Sequence, residues 1–293
     1  MKPHTAVPGQ TKPVRAIKTV SGGNDFLQLD HEDLPGQWRK QRSQFIRGIC
    51  DRHFGMGADG LVVRRQVSTD AFQFRIFNRD GNEAELSGNG MAGCAAVIFA
   101  GLPGLQQVTL QTAIGPRRIV CNKHAESQYQ MTVEIGPADF HNHSLFPFLN
   151  STESRHTYMD MDFYPVSVGN PHAVCLVAPD TRDREMTARG KRLQASPLFP
   201  QGVNVEVVRP GASKSQWQAC FIERGAGETR SSSTGCAAVF AVLRQQRLIN
   251  ETAIIESCAG SSIEVSGHLG SIKVENTTRI VYKGEYVPFR QSH

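Results

Sequence analysis

Two serines occupy matching places in the two halves of this sequence. Ser87 lies in "ELSGNG" (85–90), and Ser232 lies in "RSSSTG" (230–235), 145 residues further on. Each stands three residues before a glycine within an alanine-rich segment. A serine at such a place can cap a helix by accepting a hydrogen bond from the backbone of its first turn. Two such groups on opposite sides of a bound amino acid could instead remove and return the proton of its α-carbon. The residues alone leave both roles open.

The segments that follow the two serines are predicted to be helices. "GNGMAGCAAVIFAGL" (88–102) and "STGCAAVFAVLRQQRL" (233–248) are rich in alanine and longer than ordinary strands, which is typical of buried helices. The start of a helix carries unpaired N–H groups and a partial positive charge, so it favours a carboxylate or phosphate. If both helices began at one cleft, their starts would bind one anion together.

The elements that must position these helices are predicted to be strands. Short segments of alternating apolar and polar residues, separated by Gly, Pro and Asp turns, favour a mostly antiparallel sheet. These segments are 71–78, 107–113, 130–136, 173–179, 203–209, 217–223 and 271–277.

The sequence also contains an internal repeat. Glu83, Ser87 and Gly90 recur with the same spacing as Glu228, Ser232 and Gly235, which together with the two similar helices indicates a duplication. We therefore expect an α+β fold with two pseudo-symmetric halves, each a curved, barrel-like antiparallel sheet around a buried helix. The predicted division is a mobile leader at 1–15, an N-terminal half at 16–128 to which 278–293 returns, and a C-terminal half at 129–277.

Composition narrows the class of protein. The 293 residues carry a net charge of +5, but Lys and Arg are spread thinly, which argues against a nucleic-acid partner. We expect no membrane span and no secretory signal, since no long apolar run is present. Seven scattered cysteines without a close pair predict free thiols in a reducing, cytoplasmic compartment, and neither a zinc site nor a disulfide scaffold. The cysteines are Cys50, Cys94, Cys121, Cys175, Cys220, Cys236 and Cys258.

Six sequence blocks, in order, resemble the signature blocks of the diaminopimelate epimerase family. They are "GGNDFLQLD" (22–30), "CDRHFGMGADGLVV" (50–63), "FNRDGNEAELSGNG" (77–90), "SVGNPHAV" (167–174), "GVNVEVV" (202–208) and "ERGAGETRSSSTG" (223–235). The resemblance implies a fold of two halves with the active site between them. It also implies an isomerase of lysine biosynthesis that interconverts LL- and meso-diaminopimelate without pyridoxal phosphate, metal or other cofactor, and that forms a homodimer.

The resemblance assigns roles to residues position by position. The residues that it places around the two ends of the amino-acid substrate are Asn24, Asn78, Asn170, Asn204, Glu223 and Arg224. The turns that it places at the α-carboxylate are Gly88, Asn89 and Gly90, with Ser233, Thr234 and Gly235. It places His172 and Glu223 near the reacting centre. Asn24 and Asn204 could alternatively serve only to fix turns.

The sequence departs from the family at the two proton carriers. The family has cysteines at the positions of Ser87 and Ser232, and Ser233 stands where the family pattern has Gly. A thiol has a pKa near about 8.5 and an alcohol one closer to that of water, about 15.7, so forming the alkoxide costs on the order of 10 kcal/mol more. A serine needs a neighbouring base to carry a proton, and His172, oriented by Glu223, is the candidate.

Three interpretations of this departure stay open at the level of sequence. The serines could be engineered into an inert enzyme that traps its substrate. The chain could be a divergent relative that performs another reaction, such as a one-base dehydration. It could also be an inactive protein that binds an amino acid without converting it.

Overall fold

The computed structural model describes residues 13–36, 38–149 and 154–288. The helices are α1 (Trp38–Cys50), α2 (Gly88–Gly101), α3 (Asp183–Gln194) and α4 (Ser233–Gln245), with a 3₁₀ turn at His31–Asp33. The strands are β1 (Val14–Ser21), β2 (Asn24–Asp30), β3 (Gly60–Gln66), β4 (Ala71–Asn78), β5 (Glu83–Ala84), β6 (Gln107–Thr112), β7 (Gly115–Ala125), β8 (Gln128–Gly136), β9 (His156–Tyr158), β10 (Met161–Ser167), β11 (Pro171–Leu176), β12 (Asn204–Pro210), β13 (Gln216–Glu223), β14 (Gly227–Thr229), β15 (Thr252–Ser257), β16 (Ser262–His268) and β17 (Ser271–Tyr286).

The N-terminal strands close into a barrel around α2. Strand pairing runs from β1 through β2, β3, β4, β6, β7 and β8 to β17, which pairs again with β1. Only the β2–β3 and β4–β6 pairs in this ring are parallel. The helix is buried from Gly88 to Phe99, because strands surround it on all sides. A segment that is apolar all round is stable only in such a place.

The C-terminal strands repeat this arrangement around α4. The ring runs from β10 through β11, β12, β13, β15 and β16 to β17 and on to β8. An antiparallel bridge between Asp139 and Ser167 joins the chain after β8 to the end of β10. The two predicted helices and the pseudo-symmetric α+β architecture are thus confirmed. The mostly antiparallel sheet is also confirmed.

Strands β8 and β17 belong to both rings. β17 is sixteen residues long; its first part pairs with β16, and its last part pairs with β1. Thr278 and the residues up to Tyr286 therefore lie against the N-terminal strand. Of the expected leader, residues 1–12 lie outside the described residues, whereas Val14 and Arg15 already belong to β1.

Helices α1 and α3 were not anticipated from the sequence. α1 connects the parallel strands β2 and β3, and α3 connects the parallel strands β11 and β12. Parallel neighbours need such a crossover connection. Both helices are mostly polar and lie outside the barrels, where each buries one narrow face against strands. Strands such as β12 are consequently buried on both faces, which explains their apolar character.

The prediction that all seven cysteines are free was wrong. Cys220 on β13 and Cys258 after β15 form a disulfide, because the parallel pairing of these strands brings their ends together. Sequence spacing could not show this, since 38 residues separate the two. Four of the free cysteines are buried as small core side chains, and Cys121 is half-buried. Among the described residues, no helix has the length and apolar character needed to cross a membrane.

The disulfide should contribute measurably to stability. Cys258→Ser opens a loop of 38 residues, so we expect the free energy of unfolding to fall by about 2–4 kcal/mol in urea denaturation without reductant. Adding dithiothreitol should lower the free energy of unfolding of the wild type to that of the variant and leave the value for the variant unchanged. A wild type that is equally stable with and without dithiothreitol would contradict the assignment.

Candidate active site

The two helix starts have the same geometry. Ser87 is the N-cap of α2, and its Oγ accepts a hydrogen bond of 3.1 Å from the backbone N–H of Gly90. Ser232 is the N-cap of α4, and its Oγ accepts one of 3.1 Å from Gly235. Each hydroxyl thus satisfies one of the unpaired N–H groups of its helix. The capping role proposed from the sequence is therefore present, and it leaves both hydroxyls at the edge of one cavity.

This cavity lies between the two barrels and has a volume of about 420 Å³. The residues singled out from the sequence that line it are Asn24, Asn78, Ser87, Gly88, Asn89, Asn170, Asn204, Glu223, Arg224, Ser232, Ser233 and Thr234. Gly90 and Gly235 contribute instead through the backbone donors that bind the serines. The described residues contain no group of three His, Cys, Asp or Glu side chains arranged to hold a metal ion.

A buried hydrogen-bond network joins the two helix starts at the floor of the cavity. Ser233 Oγ donates to Asn89 Oδ1 at 2.5 Å and accepts from Asn276 Nδ2 at 3.1 Å. Asn89 Nδ2 in turn donates to Asn24 Oδ1 at 2.9 Å. The helices approach so closely here that a Cβ on Gly88 would overlap the side chain of Ser233. The Ser233 hydroxyl therefore ties the two helix starts together.

A second contact crosses the cavity on its charged side. Arg224 Nη2 donates to Glu85 Oε2 at 2.5 Å, which links the loop after β13 to the loop before α2. Asn204 fixes the backbone at Arg224. Its Oδ1 accepts from the backbone N–H of Arg224, and its Nδ2 donates to the Pro171 carbonyl, both at 2.9 Å. The local, turn-fixing role of Asn204 is thus real, and it also positions a cavity residue.

Glu223 is the acid of the cavity with an altered pKa. Burial raises the pKa of Glu223 to about 6, while hydrogen bonds from Thr229 and Ser232 and the nearby His172 oppose the rise, and Glu206 adds to it. The Thr229 hydroxyl donates to Glu223 Oε1 at 2.8 Å. A carboxyl group with a pKa near neutrality can take up and release a proton at physiological pH.

The expectation that Glu223 orients His172 was wrong. His172 is fully buried, with Nδ1 2.8 Å from Glu206 Oε1 and Nε2 2.9 Å from Asn170 Oδ1. Both ring nitrogens are therefore occupied, and neither is free to take a proton from Ser87 or Ser232. The parallel register of β11 and β12 explains the pairing, because it places His172 beside Asn204, two residues before Glu206.

The cysteines near the two serines are too deeply buried to take part in proton transfer. Cys94 and Cys236 are buried inside their helices, away from the cavity. Burial raises the pKa of Cys94 to about 12 and raises that of Cys236 well above its usual value. Neither forms a thiolate near neutral pH, and a thiolate is needed for proton abstraction.

Among the acids that sequence reasoning missed, Glu206 and Glu85 are the ones that bond to predicted site residues, His172 and Arg224. Glu206 stands among valines in "VNVEVV", and a lone charge in a buried strand was the signal that could have found it. Glu85 carried no such signal, because its partner Arg224 is 139 residues away in the chain.

Comparisons with a family model, with known sequences and with solved structures all find similar proteins. The family model "Diaminopimelate epimerase" matches residues 16–141 and 164–287. The chain is 27% identical to a diaminopimelate epimerase of Alkaliphilus metalliredigens, with 94% of this chain and 98% of that protein covered. It is 31% identical to one of Carboxydothermus hydrogenoformans, with 92% and 98% covered. The crystal structure of a hydroxyproline epimerase from Agrobacterium vitis shares the fold, with a TM-score of 0.65 at 16% identity, covering 93% and 92%.

The network at the cavity floor should stabilise the protein. Ser233→Ala removes the donor to Asn89 Oδ1 and the acceptor of Asn276 Nδ2, two buried polar atoms, so we expect the free energy of unfolding to fall by about 1–3 kcal/mol. Urea denaturation measures the loss, with Ser213→Ala on the exposed loop before β13 as control. A loss no larger than that of the control would show that the network does not couple the halves.

The raised pKa of Glu223 should appear in the pH dependence of stability. Its folded pKa of about 6 exceeds the ordinary value of 4.5, so folding favours the protonated form, and the stability that this form contributes is lost as pH rises from 4.5 through 6. The free energy of unfolding of Glu223→Gln should therefore rise relative to that of the wild type, by up to about 2 kcal/mol, as pH increases from 4 to 7.5. Urea denaturation at both pH values tests this, with exposed Glu264→Gln as control. A difference that does not change with pH would contradict the shift.

Proposed function

This chain belongs to the diaminopimelate epimerase family, and from that premise we propose that it binds a diaminopimelate-type amino acid and transfers the proton of its α-carbon. By family it is an isomerase of the amino-acid racemase and epimerase class. The proposed reaction interconverts the LL and meso forms, in lysine or cell-wall precursor biosynthesis. A cytoplasmic homodimer is part of the proposal, on the strength of family membership.

One observation carries the proposal. Ser87 and Ser232, at the positions of the family's proton carriers, cap two helices whose first turns line the same cavity. The remaining N–H groups of those turns are suited to the α-carboxylate of an amino acid. A carboxylate held there would have one serine hydroxyl on each helix start beside its α-carbon, which is what exchange between two faces requires.

The hydroxyls limit the rate of this reaction. An alkoxide costs on the order of 10 kcal/mol more than a thiolate, and each 1.36 kcal/mol is about tenfold in rate. The helix starts lower this cost only in part, since the effect of a helix end is about 0.3–2 kcal/mol. We therefore expect epimerisation much slower than with a thiol pair.

A second candidate reaction follows from Glu223. Its carboxyl group lines the cavity, interacts with the Ser232 hydroxyl and has a pKa of about 6. Glu223 is a better base than a serine hydroxyl at neutral pH, because the carboxyl group is ionised there and the hydroxyl is not. This favours a one-base reaction in which Glu223 removes and returns the α-proton on a single face of the substrate.

Proton exchange in D₂O separates these reactions. LL-diaminopimelate is incubated with the protein, deuterium at the α-carbon is followed by NMR, and the stereoisomers are resolved by chromatography. Deuterated meso isomer supports two-base epimerisation. Deuterium with retained LL configuration supports the one-base reaction, and Glu223→Gln should then abolish it. Binding without exchange would contradict both and leave a binding protein.

Restoring thiols should raise the rate of epimerisation. We expect Ser87→Cys/Ser232→Cys to accelerate formation of the meso isomer by at least about a hundredfold, because the thiol is far more acidic than the alcohol. Ser231→Cys, which adds a thiol beside the cap and not at it, is the matched control and should have no effect. An unchanged rate in the double variant would show that this cavity serves another substrate or reaction.

A further inference from the structure

Glu206 is a buried acid whose charge is not explained by the fold. Asn204, Glu206 and Val208 lie on one face of β12, the face that packs toward α4. Glu206 is fully buried there. Its Oε1 lies 2.8 Å from His172 Nδ1, whereas its Oε2 has no hydrogen-bond partner within the described part of the chain. A Cβ on Gly235 would lie 2.7 Å from Oε1, so the acid sits directly beside the first turn of α4.

The balance of charge limits where protons sit in the Glu206–His172 pair. An isolated buried carboxylate is costly, and Oε2 has no donor to compensate it. Within the described part of the chain, no Lys or Arg forms an ion pair with Glu206, and the groups whose pKa values it affects carry no positive charge. They are the Cys175 and Cys236 thiols, whose pKa values burial raises, and the Glu223 carboxyl. Burying the pair without a net charge costs less than burying it with one.

A neutral pair fixes the proton on the other ring nitrogen. The pair is neutral when one proton lies on the Glu206–Nδ1 contact, whichever of the two atoms holds it, and His172 Nε2 also carries a hydrogen. In either case Nε2 donates to Asn170 Oδ1, 2.9 Å away. Two alternatives put the only ring hydrogen on Nδ1. With Glu206 ionised, the pair carries a buried net charge of minus one. With Glu206 protonated on Oε2, the pair is neutral, but the buried O–H has no acceptor within the described part of the chain.

The proton on Nε2 decides how Asn170 faces the cavity. Its amide has one acceptor end and one donor end, and Oδ1 is occupied by Nε2. The Nδ2 donors are then left for the cavity that Asn170 lines. We propose that Glu206 is a positioning residue that acts through His172 to hold Asn170 with its N–H donors toward a bound carboxylate. The bare Nε2 of either alternative would turn the amide and present an acceptor, which repels that anion.

The inference depends on the proposed function only for the identity of the ligand, and its first test needs no ligand. Protein labelled with ¹⁵N-histidine is examined at pH 7 by long-range ¹H–¹⁵N NMR, with the His172 signal assigned by its loss in His172→Gln. A hydrogen on Nε2 in the wild type is expected. A ring with hydrogen on Nδ1 only would overturn the inference, whatever the protein's activity.

Glu206→Met provides the second test. Methionine fills similar space without holding Nδ1, so His172 and the Asn170 amide lose their fixed orientation. Calorimetry should show about tenfold weaker binding of meso-diaminopimelate, the size expected for one misplaced hydrogen bond to a charged group. Exposed Glu251→Met is the matched control and should bind as wild type does.

The outcomes distinguish the two proposals. A Glu206→Met protein that keeps both the wild-type ring signal and the wild-type affinity would overturn the positioning role. If no form of the protein binds meso-diaminopimelate, the proposed function fails, and the NMR result still decides the state of His172 and Asn170.

Discussion

The whole structure depends on how the first turns of α2 and α4 satisfy their backbone N–H groups. Both helices are apolar on every side, so each must be enclosed, and an enclosed helix start has no water to bind its donors. Ser87 and Ser232 satisfy one donor each. The others face a cavity of about 420 Å³ between the barrels. The peptide groups that folding must satisfy are thus the same ones that would bind a carboxylate in the proposed function.

The enclosing barrels also determine how the two helix starts face each other. Strands β8 and β17 are shared by both rings, so the halves are one continuous sheet at this seam. The Asn89–Ser233–Asn276 network and the Arg224–Glu85 ion pair then join the halves beside the cavity. A site between two halves needs this degree of fixing, because small displacements of positioned groups reduce catalysis strongly.

Within this rigid frame, the unusual feature is chemical. The first turns of both helices, several asparagines and Glu223 line the cavity, and the two cap positions carry hydroxyls. The nearby thiols are too deeply buried to ionise. The remaining group with a pKa near neutrality in the cavity is Glu223, and the fully buried His172 belongs to Glu206 and Asn170.

The sequence by itself determined the two buried helices, the repeat and most strands. These follow from local pattern: apolar period, glycine turns and cap residues act within a few positions of the chain. The mostly polar helices α1 and α3 were not predicted, because their narrow buried faces are recognisable only once the parallel strands are known. Only the tertiary structure decided the partners: Glu206 for His172, Glu85 for Arg224 and Cys258 for Cys220. Pairings between residues far apart in the chain depend on strand register and barrel closure, which local pattern does not encode.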